Sequence, residues 1–457
     1  MMPLPADLAE RLRHWLPPLA AALLLLPAWH FKHPLLYSLR WLETPLLVGL
    51  PIVGLLAGRH LSRLTRGLLA AALLVALAQA CEYRLQRSAV LAAGPAMQAV
   101  GRHFVVGYDD LEEVRELAAK GLIGGIYLTR RNVRGRSFAE LAGEIAGLQA
   151  LRERAELPPL IVAADQEGGP VAHLSPLLER LPPLAQVASG DDGEALAERY
   201  GFRQGRGLAA LGVTLNFGPV VDLKPSGPSR TDRLSNIAAR ALSGDPGEVS
   251  RIAAAYLGGL NAAGVGGTLK HFPGLGRVSA DTHLRPARLD LPPAALAADW
   301  QPFRRLAGRP ETAIMLGHVT LTTLDPTRAA SHSPAVVNGL LREEWAYNGV
   351  LITDDLNMGA VYRLGIGRVA GEALAAGVDL VLVSYDPRQV YRALYGAAQA
   401  LEQRELPPAR LTASRERLAT TWPRLAAACH GRPEAEAKTA DSLRSAARGY
   451  RPSEALC

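Results

Sequence analysis

The pattern of apolar and polar positions changes character near residue 90. Before that point three Leu/Ala-rich runs without formal charge succeed one another, at 14–31, 44–58 and 67–81, each followed by charged or polar residues. A membrane-crossing helix takes about 20 apolar residues, with about 17 as a working minimum. The last two runs, fifteen residues each, therefore depend on flanking arginines reaching back to the surface. Trp15, Trp29 and Trp41 stand at run ends, where an aromatic belt would sit. The pattern predicts a membrane region, 1–90, with three short transmembrane helices. Basic residues number five on the side of the amino terminus and the second connection (Arg11, Arg13, Arg59, Arg63, Arg66) and four on the other (Lys32, Arg40, Arg84, Arg87). That bias places the amino terminus inside, and the rest of this multi-pass membrane protein on the extracytoplasmic, periplasmic side.

From about residue 100 short β-rich runs alternate with Ala/Leu/Glu/Arg stretches of helical period. Eight strands are predicted: HFVVGY (103–108), IGGIYL (123–128), PLIVAA (159–164), VTLNFG (213–218), GGTLKH (266–271), AIMLGH (313–318), GVLIT (349–353) and DLVLVS (379–384). Several intervening helical stretches end in Gly, the usual carboxyl-terminal cap. Eight such units predict an α/β fold, a TIM-like (β/α)8 barrel over 91–430, followed by a polar, loosely ordered tail, 431–457. An open doubly wound sheet would bring a GxGxxG turn after its first strand, and none is present.

Charge looks at first like a sign of nucleic acid. The net +7 is unevenly placed, however: residues 1–100 hold nine Lys/Arg against four Asp/Glu, so the remainder is near neutral and no nucleic-acid footprint is expected. The three cysteines, Cys81, Cys429 and Cys457, define neither a disulfide framework nor a metal site. Oligomeric state is not legible.

In a barrel of this kind chemistry gathers at the carboxyl ends of the strands. There the sequence places Asp165, Asn216, Lys270 with His271, His318, and Asp354 with Asp355. A carboxylate just past a buried strand, as Asp354 is, suits a nucleophile or charge stabiliser; Asp355 reads as a cap for the next helix. Asp165 can accept hydrogen bonds from vicinal hydroxyls of a ligand, or form a turn before Gly168-Gly169, and Glu167 beyond it is expected to be exposed. Side chains alternate along a strand, so one of Lys270 and His271 should face the barrel axis. The lysine could form a Schiff base or donate to a hydroxylated ligand. Phe272-Pro273-Gly274-Leu275-Gly276 reads as a hinge, and on the same loop Asp281 can orient His283 for proton transfer. Arg240 and His318 are further candidates for ligand contacts, although a lone His or Arg is more often structural. His271, His283, His318 and Asp281 are metal-ligand types, but neither HExxH nor paired-Cys spacing occurs, so neither metal nor cofactor is expected.

Taken in order, DQEGG, LNFGPVVDL, KHFPGLG, DTH and ITDDLNMGA resemble the single-barrel β-N-acetylhexosaminidase branch of glycoside hydrolase family 3. The resemblance covers about 101–384, continues to about 425, and leaves out the membrane region. It implies Asp354 as catalytic nucleophile, His283 as proton donor, and Asp281 as its partner. It also implies Asp165, Lys270, His271, Arg240 and His318 as groups around the sugar. The implied activity is retaining, exo-acting hydrolysis of terminal β-linked N-acetylglucosamine from peptidoglycan-type or related amino sugars. A β-glucosidase or β-xylosidase of the same family, an inactive membrane-anchored sugar-binding protein, and a lyase using Lys270 are the alternatives. Two positions depart from the family pattern: Leu275 stands where His is usual, and Pro170 where Arg is usual.

Overall fold

The computed structural model describes residues 6–30, 42–58, 60–225, 234–309 and 311–422, with positions 37, 39 and 227. The tail expected at 431–457 lies outside these. The chain divides into two compact units, Met1–Ala89 and Val90–Cys457.

In the first unit the expectation of three spans is corrected. One described helix, Arg63–Leu91, is long and apolar enough to cross a membrane. Its 29 residues rise about 43 Å, against a hydrocarbon core of about 30 Å. The predicted limits at 67 and 81 stopped at Arg66 and Glu82, but the helix runs through both, because Arg, Glu and Gln are good helix formers. The other two apolar helical stretches, His14–Leu26 and Pro45–Leu56, are too short to cross. The first belongs to the helix Ala6–His30, whose opening turns carry Asp7, Glu10, Arg11 and Arg13. The second begins as a π-helical turn, Pro45–Gly49, before Leu50–Ala57.

In the second unit each predicted strand run overlaps an observed strand: β1 Phe104–Gly107, β2 Gly125–Leu128, β3 Ile161–Ala164, β4 Leu215–Asn216, β5 Gly267–Phe272, β6 Thr312–Leu316, β7 Leu351–Thr353 and β8 Val381–Val383. Parallel ladders join β8-β1-β2-β3-β4 and β5-β6-β7. Parallel bridges Leu215 to Gly266 and Ile352 to Leu380 link the two ladders at both edges, so the strand order returns to its start as a ring. Side chains such as Val105, Ile161, Leu215, Met315, Ile352 and Leu382 fill the core. Strands covered on both faces read as continuous apolar runs, which is why all eight were legible.

The helices are set by their ends. Asp110 accepts from the Glu112 amide at 2.9 Å, Ser137 and Glu140 form a capping box, and Gly212 and Gly377 close their helices in the left-handed region. One irregularity bears on the site. Leu269 pairs with Ile314 but Phe272 pairs with Leu316, so β5 carries one extra residue opposite β6. Such a bulge breaks the alternation of side chains at Lys270 and His271.

Candidate active site

Strand ends bring one group of polar side chains together at the carboxyl mouth of the ring. Lys270, 2% exposed, lies between Asp165 and Glu167, with Glu167 Oε1 at 2.6 Å. Arg240 grips the same Glu167 with two parallel bonds, Nη2 to Oε1 at 2.6 Å and Nε to Oε2 at 2.9 Å. The expectation that Glu167 is exposed is thereby corrected: the short hairpin of Gln166–Gly168 with Val171–Ala172 folds it inward. Burial works against charge on all three, yet the ion pairs win. Asp165 and Glu167 are held below the ordinary carboxylate range, and Lys270 above the ordinary lysine value. A lysine held charged between two carboxylates is a poor amine nucleophile, which weighs against the lyase alternative.

His271 also faces this mouth, against the expectation that only one of the pair would. Its Nδ1 donates to Asp222 Oδ2 at 2.7 Å, which leaves Nε2 for a ligand. Asp222, fully buried, accepts in addition from the backbone amides of His271 at 3.1 Å and Leu275 at 2.7 Å. The turn is therefore held through the Leu275 amide, which any residue but proline supplies. Gly274 at φ +107° and Gly276, where a Cβ would lie 2.2 Å from the Leu223 carbonyl oxygen, make this turn a glycine turn. Phe272 packs between Trp300, Phe303 and Trp345 with ring centroids 5.4–5.8 Å apart, and Trp300 Nε1 donates to Pro273 O at 3.1 Å. The cation and the imidazole thus stand on rigid backbone.

Asp281 and His283 form a pair on the following loop. Nδ1 of His283 donates to Asp281 Oδ1 at 2.9 Å, while Asp281 Oδ2 accepts from the Leu234 amide at 2.7 Å. Ser235 Oγ sits 3.2 Å from the same ring nitrogen. Asp281 is buried, whereas the His283 side chain is 40% exposed and open to a substrate. Burial tends to raise Asp281, but the bonds from His283 and the Leu234 amide hold it at about 2. Burial tends to lower His283, but the Asp281 hydrogen bond and the charges of Asp354 and Asp281 raise it above ordinary imidazole.

The loop is docked on the segment that follows Asp354. Gly359 N–H donates to His283 O at 2.8 Å and Ala360 N–H to Thr282 O at 3.1 Å, with Gly359 too close to Leu284 O for a side chain. Asp354 accepts from the Asp355 amide at 2.8 Å, and its own amide donates to Leu316 O at 2.9 Å. Burial would raise its pKa, but the pull of His271, His318 and His283 lowers it, so it is a carboxylate at neutral pH.

Two readings change. Asp355 does not cap a helix: it accepts from Ser384 Oγ at 2.6 Å and from the amides of Asn357, Ser384 and Tyr385, tying the ends of β7 and β8 together. His318 is not a ligand contact, because Nε2 faces Asp355 O at 3.0 Å and Nδ1 faces Ser331 Oγ at 2.8 Å. Both its nitrogens serve the protein. Pro170 is exposed at the hairpin tip, and the guanidinium beside it comes from Arg130, whose Nη2 donates to Pro170 O at 3.2 Å.

Tyr127, His173, Asp222 and Ser235 are residues of the candidate site that sequence reasoning did not single out, and Glu167 is one it placed outside. Tyr127 and Asp222 had one available signal, a polar side chain inside an otherwise apolar run (GIYL and VVDL). A cavity of about 800 Å³ lies at the opposite rim, lined by Thr312, Trp345, Tyr347 and Gly349 at or before strand starts, and holds none of these groups.

Residues 96–421, which include all eight strands of the ring, match the glycosyl hydrolase family 3 N terminal domain. The chain belongs to this family. A beta-hexosaminidase of Pseudomonas aeruginosa is 35% identical over 301 residues, which cover 65% of this chain and 85% of the relative. One from Stenotrophomonas maltophilia is 33% identical over 338 residues, covering 72% and 94%. Among solved structures, a glycoside hydrolase family 3 beta-N-acetylglucosaminidase from Paenibacillus sp. str. FPU-7 superposes with a TM-score of 0.66 at 30% identity, covering 77% of this chain and 68% of that one. As a family 3 glycoside hydrolase the chain is an enzyme acting on carbohydrate.

Proposed function

We propose that this glycoside hydrolase is a β-N-acetylhexosaminidase that removes terminal β-linked N-acetylglucosamine with retention, from peptidoglycan-type or related amino sugars. The observation that carries this reading is the docking of the His283 and Asp281 loop beside an ionised Asp354. Asp354 attacks the anomeric carbon as the bond to the leaving oxygen breaks, and a glycosyl ester forms. His283, held protonated and exposed, gives its proton to that oxygen. The neutral ring then takes a proton from water, whose oxygen attacks the same carbon and releases Asp354. Lys270, Asp165 and Nε2 of His271 bind the sugar hydroxyls, with Glu167 and Arg240 fixing the lysine. The names borne by the Pseudomonas and Stenotrophomonas relatives support an N-acetylated amino sugar over glucose or xylose.

A panel of nitrophenyl β-glycosides tests this. The wild type should cleave the N-acetylglucosaminide fastest, and Asp354→Asn should lose roughly 10⁴-fold in kcat without loss of folding. Preference for the glucoside or xyloside would move the enzyme to another branch. No cleavage, with retained sugar binding, would make it a binding protein. We further propose that the helix Arg63–Leu91 anchors the enzyme to a membrane with the catalytic unit outside the cytoplasm, supported by that helix's length and apolar composition.

A further inference from the structure

Asp165 is engaged at both oxygens before any substrate arrives. Lys270 occupies Oδ1, and the Tyr127 phenol donates to Oδ2 at 2.5 Å. Tyr127 stands at the end of β2, 4% exposed, with its ring stacked on Phe217 at 5.4 Å between centroids and 15° between planes. Burial and the neighbouring Asp165 charge keep the phenol protonated. His173 Nδ1 lies 3.2 Å from the same phenol oxygen. The phenol has one hydrogen and it points at Asp165, so the contact from His173 is a donation, Nδ1–H to Oη. Burial keeps that imidazole neutral.

We propose that Tyr127 is a positioning residue for sugar recognition, the middle of a relay in which His173 donates to Tyr127 and Tyr127 donates to Asp165. Two donors on opposite oxygens fix the plane of the Asp165 carboxylate and aim its remaining lone pairs at the mouth of the ring. A phenol that itself accepts a hydrogen bond is the stronger donor. The relay keeps Asp165 a pure acceptor, so its ligand must present a hydroxyl there, and a sugar carrying an anionic group at that position is rejected. The inference rests on the glycosidase reading and deepens it.

Tyr127→Phe keeps the stacked ring and removes only the donor. The test measures kcat and KM of wild type, Tyr127→Phe, His173→Ala and Asp165→Asn on the nitrophenyl N-acetyl-β-glucosaminide and on its 4-deoxy and 6-deoxy analogues. Asp165→Asn identifies the hydroxyl that Asp165 binds, as the one whose removal makes that substitution least harmful. Tyr127→Phe should raise KM on the full sugar roughly tenfold with kcat little changed, and should have almost no effect on that same deoxy analogue. His173→Ala should show the same substrate pattern at smaller amplitude. A Tyr127→Phe loss that is equal on all three sugars, or absent, overturns the proposal, as does a His173→Ala pattern unrelated to the Asp165 hydroxyl. A wild type that cleaves none of them overturns the glycosidase reading and this inference with it.

Discussion

The acid of the proposed reaction is an imidazole whose properties come from its carboxylate neighbours. His283 would titrate near 6.5 if free, and burial alone would take it lower. The hydrogen bond to Asp281 and the nearby carboxylates favour the charged ring and raise it instead. A raised pKa means the acid form survives above pH 6.5 and is lost as pH climbs through the raised value. Asp354 must be ionised, and its lowered pKa puts the acid limb below the ordinary aspartate range. The pH profile of kcat/KM should therefore be a broad bell. Asp281→Asn removes the charge and weakens the bond, so the alkaline limb should move down by about one pH unit while the acid limb stays. An alkaline limb that does not move would mean another group supplies the proton.

Among elements, the legible parts of the site were those that sit in register with a buried strand. Asp354, Asp165 and Lys270 follow apolar runs that could be nothing but central strands, so their places were fixed once the strands were. Glu167 was misjudged because a residue beyond the strand end was taken to face solvent, where a tight hairpin turns it inward, and the Lys270 and His271 pair because alternation was applied across a bulge. Asp222 was invisible as a function because its partners, the His271 ring and the Leu275 amide, lie about 50 residues away along the chain. Those partners make a prediction. Asp222→Ala strips three buried donors of their acceptor, at about 1–3 kcal/mol each by the usual cost of an unmet buried hydrogen bond. Denaturant unfolding should show a loss of about 3 kcal/mol or more, and KM should rise as His271 loses its orientation. Unchanged stability would mean that the turn does not depend on this carboxylate.

For the whole molecule, the division at Ala89 and Val90 separates two kinds of physics. Every residue placed in the site, from Tyr127 to Asp355, belongs to the second unit, which has its own strand ring and core. The first unit contributes apolar helical surface, including exposed Leu64, Leu74, Leu77 and Leu85 on the one described helix that is long and apolar enough to span a bilayer. Exposed leucines in water carry a cost of roughly 25 cal/mol per Å² of apolar area, which a lipid phase removes. The full chain should therefore sediment with membranes and resist extraction by carbonate, leaving only in detergent. A chain that begins near residue 84, keeping the last turns of the helix that enters the second unit, should remain in the soluble fraction. It should also hydrolyse a small nitrophenyl substrate with kcat/KM within about twofold of the full enzyme, because no group that touches the sugar has been removed. Recovery of the full chain in the soluble fraction would show that the helix is packed against protein rather than lipid. A truncated chain that is soluble but inactive would show that the first unit supports the catalytic one.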